Sequence, residues 1–345
     1  MILITGAGGK TGRTLVKTLS KVESVCAFVH REEHVSMMKS LGADKVIVGD
    51  IHNESVIRSA MQGARSVYHI CPNMNPDETV IGKLVIGEAC KTGVEHFVYH
   101  SVLHPQTEKM KHHWQKLRVE EMLFESGLPF TILQPAPYMQ NLLASWGSIT
   151  EDGVLRVPYS VNSKFSFVDL EDLAETAKIV LTEPNHLNAI YELAGTLPIS
   201  HVDVAKILSR ILNSPVRAEK EEIENWRLRA ERSERFLRAQ SKRAPEMSER
   251  FLRAQSKRAP EMSEHFLRAQ SKRAPEMSEH FLRAQSKRAP EMGGYTIENL
   301  IKMFEYYDQW GLMGNPNVSR WLLKREPTSF EIFIGRIVQE RDATH

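Results

Sequence analysis

Cysteine is scarce in this chain of 345 residues: Cys26, Cys71 and Cys90 are an odd number, far apart, with no CxxC pair. That pattern excludes a disulfide frame or a cysteine zinc site and fits reduced thiols in a cytoplasm, the expected location. Long apolar runs are missing too; none approaches the ~18 residues that a membrane span needs. Met1 opens directly onto an apolar stretch, so no cleavable signal peptide is expected. There is no HExxH, no His/Cys cluster and no GxSxG elbow. No Walker lysine follows the glycines at the required spacing, because Lys10-Thr11 comes too early. Metal chemistry is therefore not expected, nor are an esterase elbow and a P-loop.

Apolar residues make up 41% and charged residues 26%, ordinary proportions for a globular domain with ample material for a core. The net charge of +2 is misleading. Residues 233–292 are four copies of a 15-residue unit, SERFLRAQSKRAPEM twice and then SEHFLRAQSKRAPEM twice. The repeat holds 14 Lys/Arg against 8 Glu, net +6, so the other 285 residues hold 31 against 35, net −4. Each unit is rich in helix formers, but Pro245, Pro260, Pro275 and Pro290 interrupt any continuous helix. One Phe-Leu pair per unit offers little surface to bury, which suggests a partly helical, mobile insertion. Nothing else aromatic in the unit supports base stacking, so nucleic acid is not an expected partner.

The informative feature is MILITGAGGKTG at residues 1–12. Met1 to Ile4 reads as a strand, Gly6, Gly9 and Gly12 as a glycine-spaced turn that also contains Gly8, Lys10 and Thr11, and Arg13 to Leu19 as a helix. Glycines there permit a tight bend, a close approach of backbone to a pyrophosphate, and close packing of helix on strand. The N–H groups and dipole at the helix start then face the phosphates. Downstream, strands at Glu23–Val29, Lys45–Val48, Ser66–Cys71, His96–His100 and Phe130–Leu133 alternate with helices at Glu33–Leu41, Asn53–Gln62, Asp77–Thr92 and Glu108–Ser126. Such alternation predicts an α/β fold with a doubly wound parallel (Rossmann) sheet in residues 1–150. Residues 151–232 and 293–345 are expected to form a small C-terminal α/β region covering the substrate, including an amphipathic helix at 295–311. Ligands of such sheets lie at the carboxyl ends of the strands, where Gly6 to Gly12, His30, Arg31, Asp50, Cys71 and Ser101 fall.

Strand two ends in His30-Arg31 where a ribose-binding carboxylate would favour NAD. A guanidinium there can fork onto a 2′-phosphate, with Lys10 adding charge, so NADP is the expected cofactor and NAD the lesser one. Arg31 as a solvated loop cation, with Glu32 and Glu33 nearby, is the plain alternative. Asp50 either accepts from the adenine amino group or belongs to the start of the next helix.

Several segments together resemble a known family. TGAGGKTG, Ser101, His112-x-x-x-Lys116-x-x-x-Glu120, SGLPFTILQPAPYMQN at 126–141, FSFVDLEDLAE at 165–175 and REPTSFEIFIG at 325–335 are similar to the NmrA-like branch of the atypical short-chain dehydrogenases. The resemblance covers nearly everything outside 233–292. It implies an NADP(H)-binding Rossmann fold, with Lys116 on the nicotinamide ribose and Ser101 orienting a carbonyl. The position of the superfamily's tyrosine is His112, which either serves as the general acid or is an i,i+4 neighbour of Lys116 on an exposed helix face. Tyr138 is the other hydroxyl expected at the nicotinamide pocket, above a loop shaped by Pro135 to Pro137. Glu120 reads equally as ligand or surface charge, and Asp169 as a helix cap. His69, His100 and His104 lie at strand ends, where satisfied structural histidines are the commoner case.

Two functions follow. One is an NADP(H)-dependent oxidoreductase reducing a small apolar carbonyl or quinone-type acceptor, since a quinone can take its proton from water. The other is a non-catalytic redox sensor acting through a protein partner, as regulators of that branch do. Deleting 233–292 should leave NADPH binding intact by titration calorimetry; unfolding on deletion would contradict the reading of that segment as an insertion.

Overall fold

The alternation of apolar side chains in the first strand decides the layering. In the computed structural model, which describes residues 1–232 and 293–342, strand β1 (Ile2–Ile4) is fully buried. Ile2 and Ile4 face one hydrophobic cluster, with helices α1 (Lys10–Leu19), α2 (Val35–Ser40) and α7 (Leu170–Thr182). Leu3 faces the other, with α3 (Glu54–Met61), α4 (Glu78–Thr92) and α5 (Lys111–Ser126). The period of two puts successive side chains on opposite faces, so a sheet covered on both sides needs apolar residues at every position.

Strands β2 (Val25–Val29), β3 (Lys45–Val48), β4 (Ser66–His69), β5 (His96–His100) and β6 (Phe130–Pro135) join β1 in one parallel sheet. The order is β3-β2-β1-β4-β5-β6, followed by a seventh strand at the edge. The seventh strand, β9 (Ala189–Leu193), pairs with β6 and comes from beyond residue 150. The chain therefore forms the doubly wound α/β sheet, and its order reverses between β1 and β4, the point at which sheets of this class open a crevice at the carboxyl ends of the strands.

Boundaries shift where local chemistry outweighs the pattern. The first helix starts at Lys10, not Arg13, so Gly12 lies in its first turn. The second strand starts at Val25, and the fourth ends at His69, leaving Cys71 in the following loop. The sixth runs on to Pro135. A 3₁₀ turn, Glu32–His34, precedes α2, and α5 begins at Lys111 instead of Glu108. Residues 293–310 are helical. The tandem repeat expected at 233–292 lies outside the described residues.

Residues 1–221 and those from 302 onward make one unit, and 222–301 another in which 223–232 and 293–301 are helical. In the first unit, β7 (Val154–Val157) pairs with β11 (Arg217–Lys220), and β8 (Lys164–Phe165) with β10 (Ile199–Ser200). Tyr159, Phe165, Phe167, Tyr307 and Phe330 pack ring against ring beside them, three of the pairs edge to face and two tilted. Asp169 caps α7 by accepting from the Glu171 amide (3.1 Å), and it also pairs with Arg336 (2.6 Å). No described helix is long and apolar enough to cross a membrane.

Helices α3 and α4 are tied by Glu88, whose buried carboxylate takes Arg58 at 2.6 Å and Lys91 at 2.7 Å. Those bonds, Arg58 first, hold it at about 2 against an ordinary 4.5. A folded-state value below the unfolded one contributes stability above pH 4.5 that is lost as pH falls toward 2. Glu88→Gln should therefore flatten the fall in Tm across that window; an unchanged slope by calorimetry would contradict the assignment.

Candidate active site

The glycine turn is shaped by three close approaches. Gly6 sits at φ +62°, and a Cβ there would lie 2.7 Å from the Ile70 carbonyl. One on Gly12 would come within 2.5 Å of both the Ala7 Cα and the Gly6 carbonyl. At Gly8 the obstacle is the His34 ring, 2.3 Å away. Gly9 differs: its Cβ would meet nothing nearer than the Gly6 carbonyl at 3.4 Å. The protein's own packing thus requires glycine at Gly6 and Gly12, where backbone blocks a Cβ, whereas at Gly8 the His34 side chain would have to move and at Gly9 the exposed backbone leaves room.

Helix α1 begins at that spot with no side-chain cap and no acidic residue in its first turn. In α3, α7 and α8 (His201–Leu212) the corresponding donors are capped by Asn53, Asp169 and Ser200. Uncapped N–H groups at Lys10, Thr11 and Gly12, with the positive end of the helix dipole, suit a diphosphate. The turn is held from behind by Thr5 N–H to Tyr68 O (3.0 Å), Ala7 N–H to Phe28 O (3.2 Å) and Arg13 Nε–H to Gly8 O (2.8 Å). These residues fit a dinucleotide. Lys10 also reaches Asn141 Oδ1 at 3.3 Å.

Arg31 follows β2 with its side chain 63% exposed and donates to Glu33 at 3.0 Å. Such an exposed pair is worth little and is readily exchanged for a phosphate partner. Asp50 accepts from the His52 amide (2.9 Å) and approaches the His52 ring (2.8 Å), while Asn53, not Asp50, caps α3.

Behind the rim lies a buried polar network that corrects the exposed-face reading of α5. His112 and Lys116 are each only 4% exposed, and Glu120 is 2%. Lys116 Nζ donates to Glu78 Oε1 (3.0 Å) and to the His100 carbonyl (3.1 Å). Tyr99 OH donates to the same Glu78 oxygen at 2.9 Å. Ser101 Oγ donates to Glu120, whose two oxygens also take Gln134 Nε2 at 3.0 Å each. Glu120 is thus neither a surface charge nor exposed; burial raises its pKa. His112 Nδ1 has no partner. Burial, followed by the Lys116 charge and His113, drives its pKa well below the ordinary value. His69 and His100 are held near 3 for the same leading reason, so these rings are neutral near pH 7. Burial likewise pushes the Cys71 thiol up, away from reactivity. Among the described residues no three His, Cys, Asp or Glu side chains could hold a metal.

Tyr138 follows Pro135 to Pro137, partly exposed between two elements of the rim. Its hydroxyl lies 2.7 Å from His100 Nε2, and the Thr11 hydroxyl of the glycine turn is beside it. Pro135 is buried at the end of β6, its carbonyl accepting from Leu103 N–H at 2.9 Å. The structure therefore brings Thr11 of the glycine turn, Tyr138 and His100 into contact, with Lys116 on the His100 carbonyl and Ser101 and Pro135 at the ends of β5 and β6, while Arg31 and Asp50 lie on exposed loops after β2 and β3. Glu78, Tyr68, His34, Gln134 and Asn141 were not singled out by sequence. Only Glu78 gave a signal, as a carboxylate ahead of the apolar positions Val80, Ile81, Leu84, Val85 and Ile86 of its helix.

Removing one member of the Lys116–Glu78 pair leaves the other charge buried, at a cost of about 3–5 kcal/mol. Glu78→Ala or Lys116→Met should lower the urea midpoint accordingly, and the Glu78→Met/Lys116→Met double variant should recover most of the loss. A single variant as stable as wild type would contradict the structural role of the pair.

Residues 1–228 match the NmrA-like family. The NAD(P)H azoreductase of Xenophilus azovorans is 28% identical over 219 residues, covering 63% of this chain and 76% of that protein. Quinone oxidoreductase 2 of Escherichia coli (strain K12) is 29% identical over 197 residues, 56% and 68% of the two chains. The crystal structure of the E. coli NADPH-dependent quinone oxidoreductase with NADPH superposes with a TM-score of 0.71 at 20% identity, covering 98% and 100%. With the family match extending from the glycine turn through the whole parallel sheet, this chain belongs to the NmrA-like family.

Proposed function

We propose that this chain is an NADPH-dependent reductase of small apolar acceptors, with quinones and azo compounds as the substrate class. The observation that carries the reading is the pairing of an uncapped, carboxylate-free glycine turn with a partly exposed residue, Tyr138, whose hydroxyl lies directly beside Thr11 of that turn. Relatives named as an azoreductase and a quinone oxidoreductase support the acceptor class.

The roles divide by burial. The first turn of α1 would hold the pyrophosphate, with Gly9 leaving room for its approach. Arg31 would release Glu33 to take the 2′-phosphate bidentately, and Lys10 would add charge. NADPH supplies a hydride when bound. Lys116, held by Glu78 and the His100 carbonyl, is anchored behind the crevice with one N–H donor left over. Ser101, already donating to Glu120, braces the same wall. His112, neutral and enclosed, stays behind that wall, which leaves Tyr138 as the hydroxyl that meets the acceptor.

NADPH should raise the Tm more than NADH does, and Arg31→Ala should erase the difference. Purified protein should oxidise NADPH with a panel of benzoquinones, naphthoquinones and an azo dye. Equal shifts for both cofactors would sink the NADP assignment, and binding without oxidation of any acceptor would sink the reductase.

A further inference from the structure

Behind Tyr138 stands a second tyrosine that reaches no solvent. Tyr68, on β4 next to the switch point, is 0% exposed, and its hydroxyl lies 2.9 Å from His100 Nδ1. The other nitrogen of that ring lies 2.7 Å from the Tyr138 hydroxyl. Tyr68, His100 and Tyr138 thus form one line from the core to the rim of the crevice.

The line has a direction. A neutral imidazole carries one hydrogen, so one nitrogen donates and the other accepts. Burial and the Lys116 charge keep His100 neutral. If Nδ1 carried the hydrogen, Tyr68 would accept from it, and the Tyr68 O–H would be left inside an apolar cluster of Ile2, Ile4, Val98 and Leu133 without an acceptor. A desolvated, unpaired donor is the costly outcome. Tyr68 therefore donates to Nδ1, Nε2–H donates to the Tyr138 oxygen, and the Tyr138 hydrogen is left to point away from the core, toward Thr11 and the crevice.

We propose that Tyr68 and His100 are positioning residues that fix Tyr138 as a proton donor to the acceptor, an inference that rests on the reductase reading above. Hydride plus one proton converts a quinone to a hydroquinone. In the proton step the Tyr138 O–H bond breaks and the proton joins the acceptor oxygen. The phenolate left behind is held by His100 Nε2–H, and water entering the crevice reprotonates it. Burial raises Tyr138 to about 12, and the Thr11 hydroxyl opposes that rise.

The test reads the tautomer directly. In the ¹⁵N spectrum of histidine-labelled full-length protein, with His100 assigned by loss of its signals in His100→Gln, Nε2 should be protonated and Nδ1 pyridine-like. Tyr68→Phe, which removes only the buried hydroxyl, should shift both resonances toward a mixture of tautomers. In steady state with a naphthoquinone, Tyr138→Phe should lower kcat about a hundredfold with KM little changed. Tyr68→Phe should lower kcat by a smaller factor while NADPH affinity stays at the wild-type value. A protonated Nδ1 in the wild type overturns the inference, as does wild-type kcat in Tyr138→Phe. If the wild type oxidises no NADPH with any acceptor, it is the reductase reading that falls, and the spectrum still decides the polarity of the line.

Discussion

Everything at the crevice depends on how closely α1 returns to the end of β1. Gly12 lies against the Gly6 carbonyl and Ala7 with no room for a methyl group, so the helix starts within a few residues of the strand. That closeness aims the first-turn N–H groups outward over the carboxyl ends of β1 and β4, where the strand order reverses. It also seats Leu15, Val16 and Leu19 on the sheet beside α7. The donor end left free of caps and carboxylates suits the turn to an anion.

The wall opposite is organised around a buried charge. Lys116 would be untenable in the interior without Glu78 and the His100 carbonyl. The same residue, His100, serves two directions: its backbone steadies the lysine while its ring joins Tyr68 to Tyr138. Burial keeps the neighbouring imidazoles neutral, so the region offers fixed dipoles around the Lys116–Glu78 ion pair instead of a set of histidines titrating near neutrality. Such a site suits an acceptor that needs a hydride, an oriented hydroxyl and little else.

Much of this was legible in the sequence. The bounds of β3 and β5 coincide with the runs read at Lys45–Val48 and His96–His100, β5 because it is buried along its whole length and β3, partly exposed at the sheet edge, because Val46, Ile47 and Val48 are β-branched. The glycine turn was legible for the same reason it is functional: few residues other than glycine fit Gly6 and Gly12. The start of α1 was missed because glycine and threonine at 11 and 12 mask a helix already begun at Lys10. The burial of α5 was missed for a deeper reason. Its inward stripe is His112, His113, Lys116, Val119, Glu120 and Leu123, helical in period but largely polar in type. Polar residues on a stripe read as solvated unless their partners are known, and those partners, Glu78, His100, Ser101 and Gln134, come from three other elements and a loop. The seventh strand escaped notice because β9 is a five-residue edge strand, Ala-Ile-Tyr-Glu-Leu, with Glu192 inside it and no long apolar run to mark it.

The central claim is that the glycine turn is a phosphate receptor whose openness at Gly9 serves the ligand and not the fold. Calorimetric titration of NADPH into Gly9→Ala, alongside its thermal unfolding without cofactor, tests that claim most directly. The account predicts an unliganded Tm within a degree or so of wild type, because the added methyl meets nothing closer than 3.4 Å, together with an affinity at least tenfold weaker. Undiminished affinity in a normally folded Gly9→Ala protein would contradict it.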